Sequence, residues 1–74
     1  MVELLSQWKE SDVASWLRSQ NAREADIAVF VDQEIDGEAI LELEKGDIQE
    51  LFHTFGARKR VWKKIKQLRK EFAV

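Results

Sequence analysis

The chain has 74 residues, with twelve basic and fourteen acidic side chains, so its formal net charge is only −2. A chain of this length forms one domain around a single small core, and the absence of cysteine excludes disulfides and thiolate metal sites. No apolar run reaches the roughly twenty residues that span a bilayer, and residues 1–5 do not resemble a signal peptide. We therefore expect one intracellular domain over residues 1–74, with a core from about residue 8 to residue 72.

Apolar residues recur at three- and four-residue spacing, which predicts helices along the whole chain. The first helix is predicted to start at Ser11 and Asp12, residue types that suit a helix start, and to run to about Gln20. The second is predicted from Glu24 to Glu34. The apolar stripe of the first helix is Val13, Trp16 and Leu17, and the second helix is marked by the apolar residues Ile27, Phe30, Val31 and Ile35.

Two short helices are predicted to follow the turn signal Asp36-Gly37. The third helix covers residues 38–43. The fourth opens at Gly46-Asp47, where the carboxylate of Asp47 lies near the positive end of the helix dipole. The inward-facing residues are predicted to be Ile40 and Leu41 in the third helix and Ile48, Leu51 and Phe52 in the fourth.

The fifth and longest helix is predicted to begin after Gly56, at Ala57, and to run to about Phe72. A buried stripe and a cationic stripe step by four, three and four residues along it, two residues out of phase, so they lie on opposite sides. The buried stripe is Val61, Ile65, Leu68 and Phe72, and the cationic stripe is Lys59, Lys63, Lys66 and Lys70. The chain is therefore predicted to be all-α, a compact five-helix bundle with a long C-terminal helix.

Charged residues are sorted by sign along the chain. Ten of the twenty-seven residues 24–50 are acidic and only Lys45 is basic, whereas residues 58–70 hold eight bases and no acid. A small fold with two opposite patches can bind a copy of itself or a similar partner, because complementary potentials steer encounter and fix register. Arg58, Lys59 and Arg60 also oppose the dipole at the start of their helix, which favours a binding role for them.

Several short motifs follow one another in a distinctive order. They are Trp8, the segment Asp12-Val13-Ala14-Ser15-Trp16-Leu17, Phe30, Glu34-Ile35-Asp36-Gly37, Ile40-Leu41-Glu42-Leu43, Asp47-Ile48, Leu51 and Gly56-Ala57-Arg58. In this order and spacing they resemble a SAM (sterile alpha motif) domain, over nearly the whole chain from Trp8 to about Leu68. The resemblance implies a five-helix bundle that acts as a non-enzymatic protein–protein interaction module.

The resemblance also implies two unlike binding surfaces, through which SAM domains often associate. The acidic mid-loop surface surrounds the end of the second helix, the third helix and the start of the fourth: Asp32, Glu34, Asp36, Glu38, Glu42, Glu44 and Asp47. The basic end-helix surface lies at the start of the fifth helix: Ala57, Arg58, Lys59, Arg60 and Lys63. We expect head-to-tail self-association into an oligomer or polymer, with apolar atoms near Phe55, Ala57 or Ile40 supplying much of the affinity.

Two alternatives stay open at this point. The first is pairing with another SAM domain through one surface only. The second is RNA hairpin binding, because some SAM domains that bind RNA begin their last helix much as residues 56–58 do. In that case backbone amides, Arg58, Lys59 and Lys63 would hold a phosphate. Residues 19–24 offer only Arg23 to such a ligand, and the acidic block would repel it.

Other ligand classes find little support in the sequence. His53 is the only histidine, so no second imidazole or thiol shares a metal with it. No carboxylate is paired with a nucleophile or a glycine-rich phosphate loop. Membrane binding is disfavoured because the fifth helix buries its apolar side within the bundle. We therefore expect no metal, no cofactor, no small-molecule substrate and no membrane partner.

Overall fold

A computed structural model describes residues 4–72, and the regular elements in that range are all helical. A 3₁₀ turn, Leu5–Gln7, precedes five α-helices. They are α1 (Glu10–Ser19), α2 (Glu24–Asp32), α3 (Gly37–Glu42), α4 (Lys45–Leu51) and α5 (Phe55–Phe72). The predicted five-helix bundle is confirmed, while the outer limits of the predicted domain, Met1 and Val74, lie outside the described residues. None of the described helices is long and apolar enough to cross a bilayer.

A single apolar core joins the 3₁₀ turn to all five helices. Within residues 4–72 the fully buried side chains are all apolar, so no charge is desolvated without a partner there. Burial of each large aliphatic or aromatic side chain contributes about 1.5–3 kcal/mol, which offsets the entropy lost on folding. The core consists of Leu5, Val13, Ala14, Leu17, Ile27, Phe30, Ile35, Ile40, Leu43, Ile48, Phe52, Ala57, Val61, Ile65 and Leu68.

The helix α1 starts earlier than the sequence suggested. Lys9, not Ser11, occupies the N-cap position, and its backbone N–H donates to the carboxylate of Asp12 at 2.9 Å. The prediction of a start at Ser11 was therefore wrong, because a carboxylate three residues inside the helix can satisfy the free amide that a capping serine would otherwise serve.

The helix α5 also starts earlier than predicted. Its first residue is Phe55, and the hydroxyl of Thr54 accepts a hydrogen bond from the amide of Ala57 at 3.3 Å. Gly56 therefore lies inside the first turn and does not separate two helices. A threonine cap fixes where the helix begins, and it places the side chain of Phe55 at the tip of α5.

The helix α2 ends two residues before its predicted end at Glu34. Glu34 has a φ of 54°, in the left-handed region, and the amide of Ile35 donates to the carbonyl of Phe30 at 2.9 Å. This closing pattern usually has glycine at the left-handed position. The same pattern ends α1, where Asn21 has a φ of 61°.

The Asp36-Gly37 pair starts α3 instead of forming a separate turn. The Asp36 carboxylate accepts from the amide of Ala39 at 3.0 Å, and Gly37 is the first residue of the helix. The backbone of Gly37 lies directly against the 3₁₀ turn, since a Cβ built on it would meet the carbonyl oxygen of Leu5 at 1.7 Å. Glycine is therefore required here by close packing.

Leu41, which was predicted to face the core, points outward instead, and so does Val31 of α2. Val31 is 46% exposed and Leu41 is 39% exposed, whereas the buried side chains of their helices include Phe30 and Ile40. The residues in each pair are adjacent, and adjacent positions on a helix point in directions about 100° apart. Only one member of such a pair can point directly at the core, and which of the two does so depends on how the helix packs in the bundle.

Arg69 connects the C-terminal half of α5 to the end of α3. Its guanidinium donates to the carbonyl of Ile40, with Nε at 2.9 Å, and also to the carbonyl of Leu43. The same cation lies 5.6 Å from the ring centre of Trp62. These contacts satisfy carbonyls that the short helix leaves free at its C-terminus, and they hold α3 in a fixed position relative to α5.

Candidate protein-binding surfaces

The acidic mid-loop surface runs from the last turn of α2 through α3 to the first turn of α4. All seven of its side chains are exposed except Asp36, which is half-buried. Within residues 4–72 there are two ion pairs, Arg18 with Glu24 at 3.3 Å and Arg60 with Asp26 at 3.6 Å, and neither involves this surface. Its negative charge is therefore not neutralised by a cation of the same described chain.

Two members of the mid-loop surface also hold the backbone in place. Asp36 caps α3, and Asp47 accepts a hydrogen bond from the amide of Glu44 at 2.8 Å at the start of α4. A carboxylate at a helix N-terminus also benefits from the helix dipole. Substituting Asp36 or Asp47 would therefore disturb the shape of the surface as well as its charge.

An apolar side chain lies within this acidic surface. Leu41 is 39% exposed on α3, where its neighbours in sequence include the exposed carboxylates of Glu38 and Glu42. Ile40 is 0% exposed, so the exposed apolar atoms near it belong to Leu41. Sequence reasoning missed Leu41 because it assigned both residues to the core.

The basic end-helix surface is less uniform than its sequence suggested. Lys59, Arg60 and Lys63 are exposed, Arg58 is half-buried, and Ala57 belongs to the core. Ala57 therefore lies beneath the surface, in the core, and exposes little area to a partner.

The guanidinium of Arg58 is held by its own chain. Its Nε donates to the carbonyl of Phe52 at 2.6 Å, and an Nη donates to the carbonyl of Gln49 at 3.0 Å. Both acceptors lie at the C-terminal end of α4, where the helix dipole favours a positive charge. Arg58 is thus favourably placed at the C-terminal end of the helix that precedes its own.

Arg60 also has a partner inside the molecule. It pairs with Asp26 of α2, whose side chain is only 13% exposed. The charge at Arg60 is therefore partly compensated. Because α5 begins at Phe55, Lys59 and Arg60 lie beyond its first turn, where the dipole has little effect, so the expectation that they oppose the dipole was wrong. Lys59 forms no ion pair among the described residues.

An exposed aromatic side chain lies at the tip of α5 beside Lys59. Phe55 is 74% exposed, and the Nζ of Lys59 lies 5.2 Å from the centre of its ring. A cleft of about 180 Å³ opens next to them between α4 and α5, with Trp62 in its wall. Aromatic residues and cations of this kind are enriched where proteins bind one another.

Within residues 4–72 no group of three or more histidine, cysteine or carboxylate side chains is arranged to hold a metal ion. His53 lies exposed on the α4–α5 connection. The geometry of the described residues therefore offers two charged surfaces, each with an exposed apolar side chain, and these are features of binding sites.

Comparison with known proteins identifies the family of the chain. Residues 1–67 match the family model described as SAM-like domain. The chain is 37% identical over 68 residues to WD repeat, SAM and U-box domain-containing protein 1 of Danio rerio. That match covers 89% of this chain but only 14% of the relative.

A solved structure has the same fold. The chain superposes with a TM-score of 0.80 and 30% sequence identity on a chain of the Scm-SAM and Sfmbt-SAM heterodimer crystal structure. The match covers 89% of this chain and 94% of the other. The solved structure agrees with the observed fold, and the family model and the relative show that the chain belongs to the SAM-like domain family.

Proposed function

We propose that this domain is a protein–protein interaction module that associates with copies of itself, head to tail, through the acidic mid-loop surface of one copy and the basic end-helix surface of the next. What supports the proposal is one arrangement: each surface carries uncompensated charge of one sign and an exposed apolar residue, Leu41 on the acidic side and Phe55 on the basic side. Both halves of a complementary contact thus belong to one chain.

Charged contacts and apolar contacts would contribute to the association in different ways. Exposed ion pairs contribute only about 0–1 kcal/mol each, so charge mainly sets the rate and orientation of encounter. Apolar burial at Phe55 and Leu41 would supply most of the affinity, as a few central residues usually do. Because the two surfaces are unlike, the contact is heterologous, and it extends into a filament unless its rotation closes a ring.

Pairing with a different SAM domain is the second candidate, and a specific observation favours it. The solved structure that this chain matches is a heterodimer of two SAM domains. The family consists of interaction modules, so the proposal is for binding without catalysis. An intracellular location, inferred from the absence of cysteine, stays a prediction.

A charge-swap experiment tests the proposal. Glu42→Arg blocks the acidic surface and Lys59→Glu blocks the basic one, and neither residue makes a hydrogen bond or ion pair in the described structure that the change would break. In sedimentation velocity at low salt, each variant alone should remain monomeric at concentrations where the parent chain assembles. A mixture of the two should form a dimer, because one intact surface of each kind remains.

Matched controls carry the same charge changes elsewhere. Glu71→Arg and Lys70→Glu alter exposed residues near the C-terminal end of α5 and should assemble as the parent does. The head-to-tail proposal fails if the parent stays monomeric at high concentration and low salt. It also fails if Glu42→Arg and Lys59→Glu assemble as well as their controls. If the parent chain stays monomeric but forms a dimer with a second SAM domain, the result favours the heterotypic candidate.

A further inference from the structure

The two flanks of α5 offer different sites. The flank that carries Trp62 borders the cleft beside Phe55. The opposite flank, with Arg60 and Lys64, forms a groove with the α1–α2 connection, and this groove shares only Arg60 and Lys63 with the basic end-helix surface. This second groove therefore lies largely outside the surfaces assigned to the head-to-tail contact.

The groove has an apolar floor. Leu17 of α1, Phe30 of α2 and Val61 of α5 form its base, and half-buried Ala22 lies at its edge. Its volume is about 290 Å³, at the lower limit of the roughly 300–1,000 Å³ typical of pockets for small organic ligands. It is therefore large enough for an apolar side chain of a partner, and small for a cofactor.

Positive charge surrounds this floor. Among the described residues, the rim carries four cations, Arg23, Arg60, Lys63 and Lys64, and one carboxylate, Asp26, which is already paired with Arg60 at 3.6 Å. Within residues 4–72 the other three cations form no ion pair. A ligand that fits the groove thus needs an apolar group in the middle and negative charge on either side.

We propose that this groove binds a short acidic peptide segment of a partner protein, with one large apolar side chain seated beside Ala22, above the buried side chains of Leu17 and Val61, and flanking carboxylates facing Arg23, Lys63 and Lys64. The commitment to a peptide rests on charge complementarity together with the size of the floor.

RNA is the competing polyanion, and the groove suits it less well. Single-stranded bases are usually held by stacking on exposed aromatic or guanidinium planes. Among the described residues of this groove, Phe30 is the one aromatic side chain, and it is 2% exposed at the base. Of the two guanidinium groups at the rim, that of Arg60 is paired with Asp26 at 3.6 Å, which leaves Arg23 for stacking. The acidic mid-loop surface of the same small domain also repels a long polyanion more strongly than a peptide with a few carboxylates.

The test uses a short fluorescein-labelled peptide of aspartate and glutamate with one central phenylalanine, titrated with the whole chain and followed by anisotropy at low salt. Lys64→Glu should weaken binding about five- to tenfold, because it replaces an attraction by a repulsion at the rim. The control Lys70→Glu makes the same change on the same helix outside the groove and should weaken binding less than about twofold. Replacing the central phenylalanine by alanine should also weaken binding about tenfold.

Several results would overturn the proposal: no binding by the parent chain, equal binding by Lys64→Glu and Lys70→Glu, or tighter binding of a labelled hairpin RNA that Lys64→Glu abolishes. Failure here is separable from failure of the head-to-tail contact. Lys59→Glu should leave peptide binding within about twofold of the parent, and Lys64→Glu should leave sedimentation unchanged.

Discussion

Removing the side chain of Arg58 should destabilise the domain far more than removing the neighbouring Lys59. In Arg58→Ala the carbonyl of Phe52 loses a donor at 2.6 Å and that of Gln49 loses one at 3.0 Å. Within residues 4–72 Lys59 makes no hydrogen bond through its side chain, which lies over the ring of Phe55. The two substitutions remove the same charge from adjacent positions, so the comparison isolates the internal hydrogen bonds.

The expected magnitude follows from the surroundings of each bond. A hydrogen bond from a charged donor contributes about 1.5–3 kcal/mol when partly buried, and the bond to Phe52 is of that kind. The bond to Gln49 is exposed, so solvent reduces its share to no more than about 0.5 kcal/mol. Arg58→Ala should therefore lower the free energy of unfolding by about 2 kcal/mol, and Lys59→Ala should change it by less than about 0.5 kcal/mol.

Urea denaturation followed by far-UV circular dichroism measures this difference. With an m-value near the lower end of about 1–3 kcal/mol per molar urea, the midpoint of Arg58→Ala should fall by about 1–2 M. Arg58→Lys keeps the charge near the end of α4 but not the forked geometry, and it should lie between the parent and Arg58→Ala. Equal midpoints for Arg58→Ala and Lys59→Ala would refute the view that Arg58 is held by its own chain. A large fall would mean that charge reversal at Arg58 cannot by itself diagnose a binding surface.

Three further outcomes are expected. Glu34→Gly should raise the free energy of unfolding by about 0.5–1 kcal/mol, because glycine adopts the left-handed φ of 54° without strain; a lower melting temperature would contradict this. Gly37→Ala should cost more than about 2 kcal/mol, since its Cβ would collide with the carbonyl of Leu5. Gly46→Ala, with nothing within 4 Å of the added Cβ, should be neutral or stabilising. Equal melting temperatures of Gly37→Ala and Gly46→Ala would contradict the close packing of Gly37 against Leu5. Self-association should weaken steeply between low salt and about 0.5 M salt in sedimentation runs, because salt screens the attraction between the two surfaces. Self-association that does not change with salt would show that charge does not direct it.

Helix number and helix order were predictable from the sequence, because apolar spacing along each segment decides which face is buried. The stripe formed by Val61, Ile65 and Leu68 is buried as predicted, and the lysines of the opposite stripe are exposed. The order of acidic and basic residues along the chain is a property of the sequence alone, but their separation in space is not, since Arg60 of the basic stretch pairs with Asp26 of the acidic one.

Helix starts and the choice between adjacent apolar residues were not predictable in the same way. A cap depends on which side chain reaches a free amide, and Asp12 and Thr54 do so at α1 and α5. The outward position of Leu41 depends on how a helix of only six residues packs against its neighbours. Sequence periodicity over so few residues does not distinguish Leu41 from Ile40.

The sequence by itself determined a helical bundle with one acidic and one basic stretch, because local spacing and composition fix both. Only the tertiary structure decided which of the bases are free. Arg58 reaches carbonyls on α4, and Arg60 reaches Asp26, which lies far away in sequence on α2. Long cationic side chains bridge elements that packing brings together, so the availability of each charge to a partner depends on neighbours that its position in the sequence does not reveal.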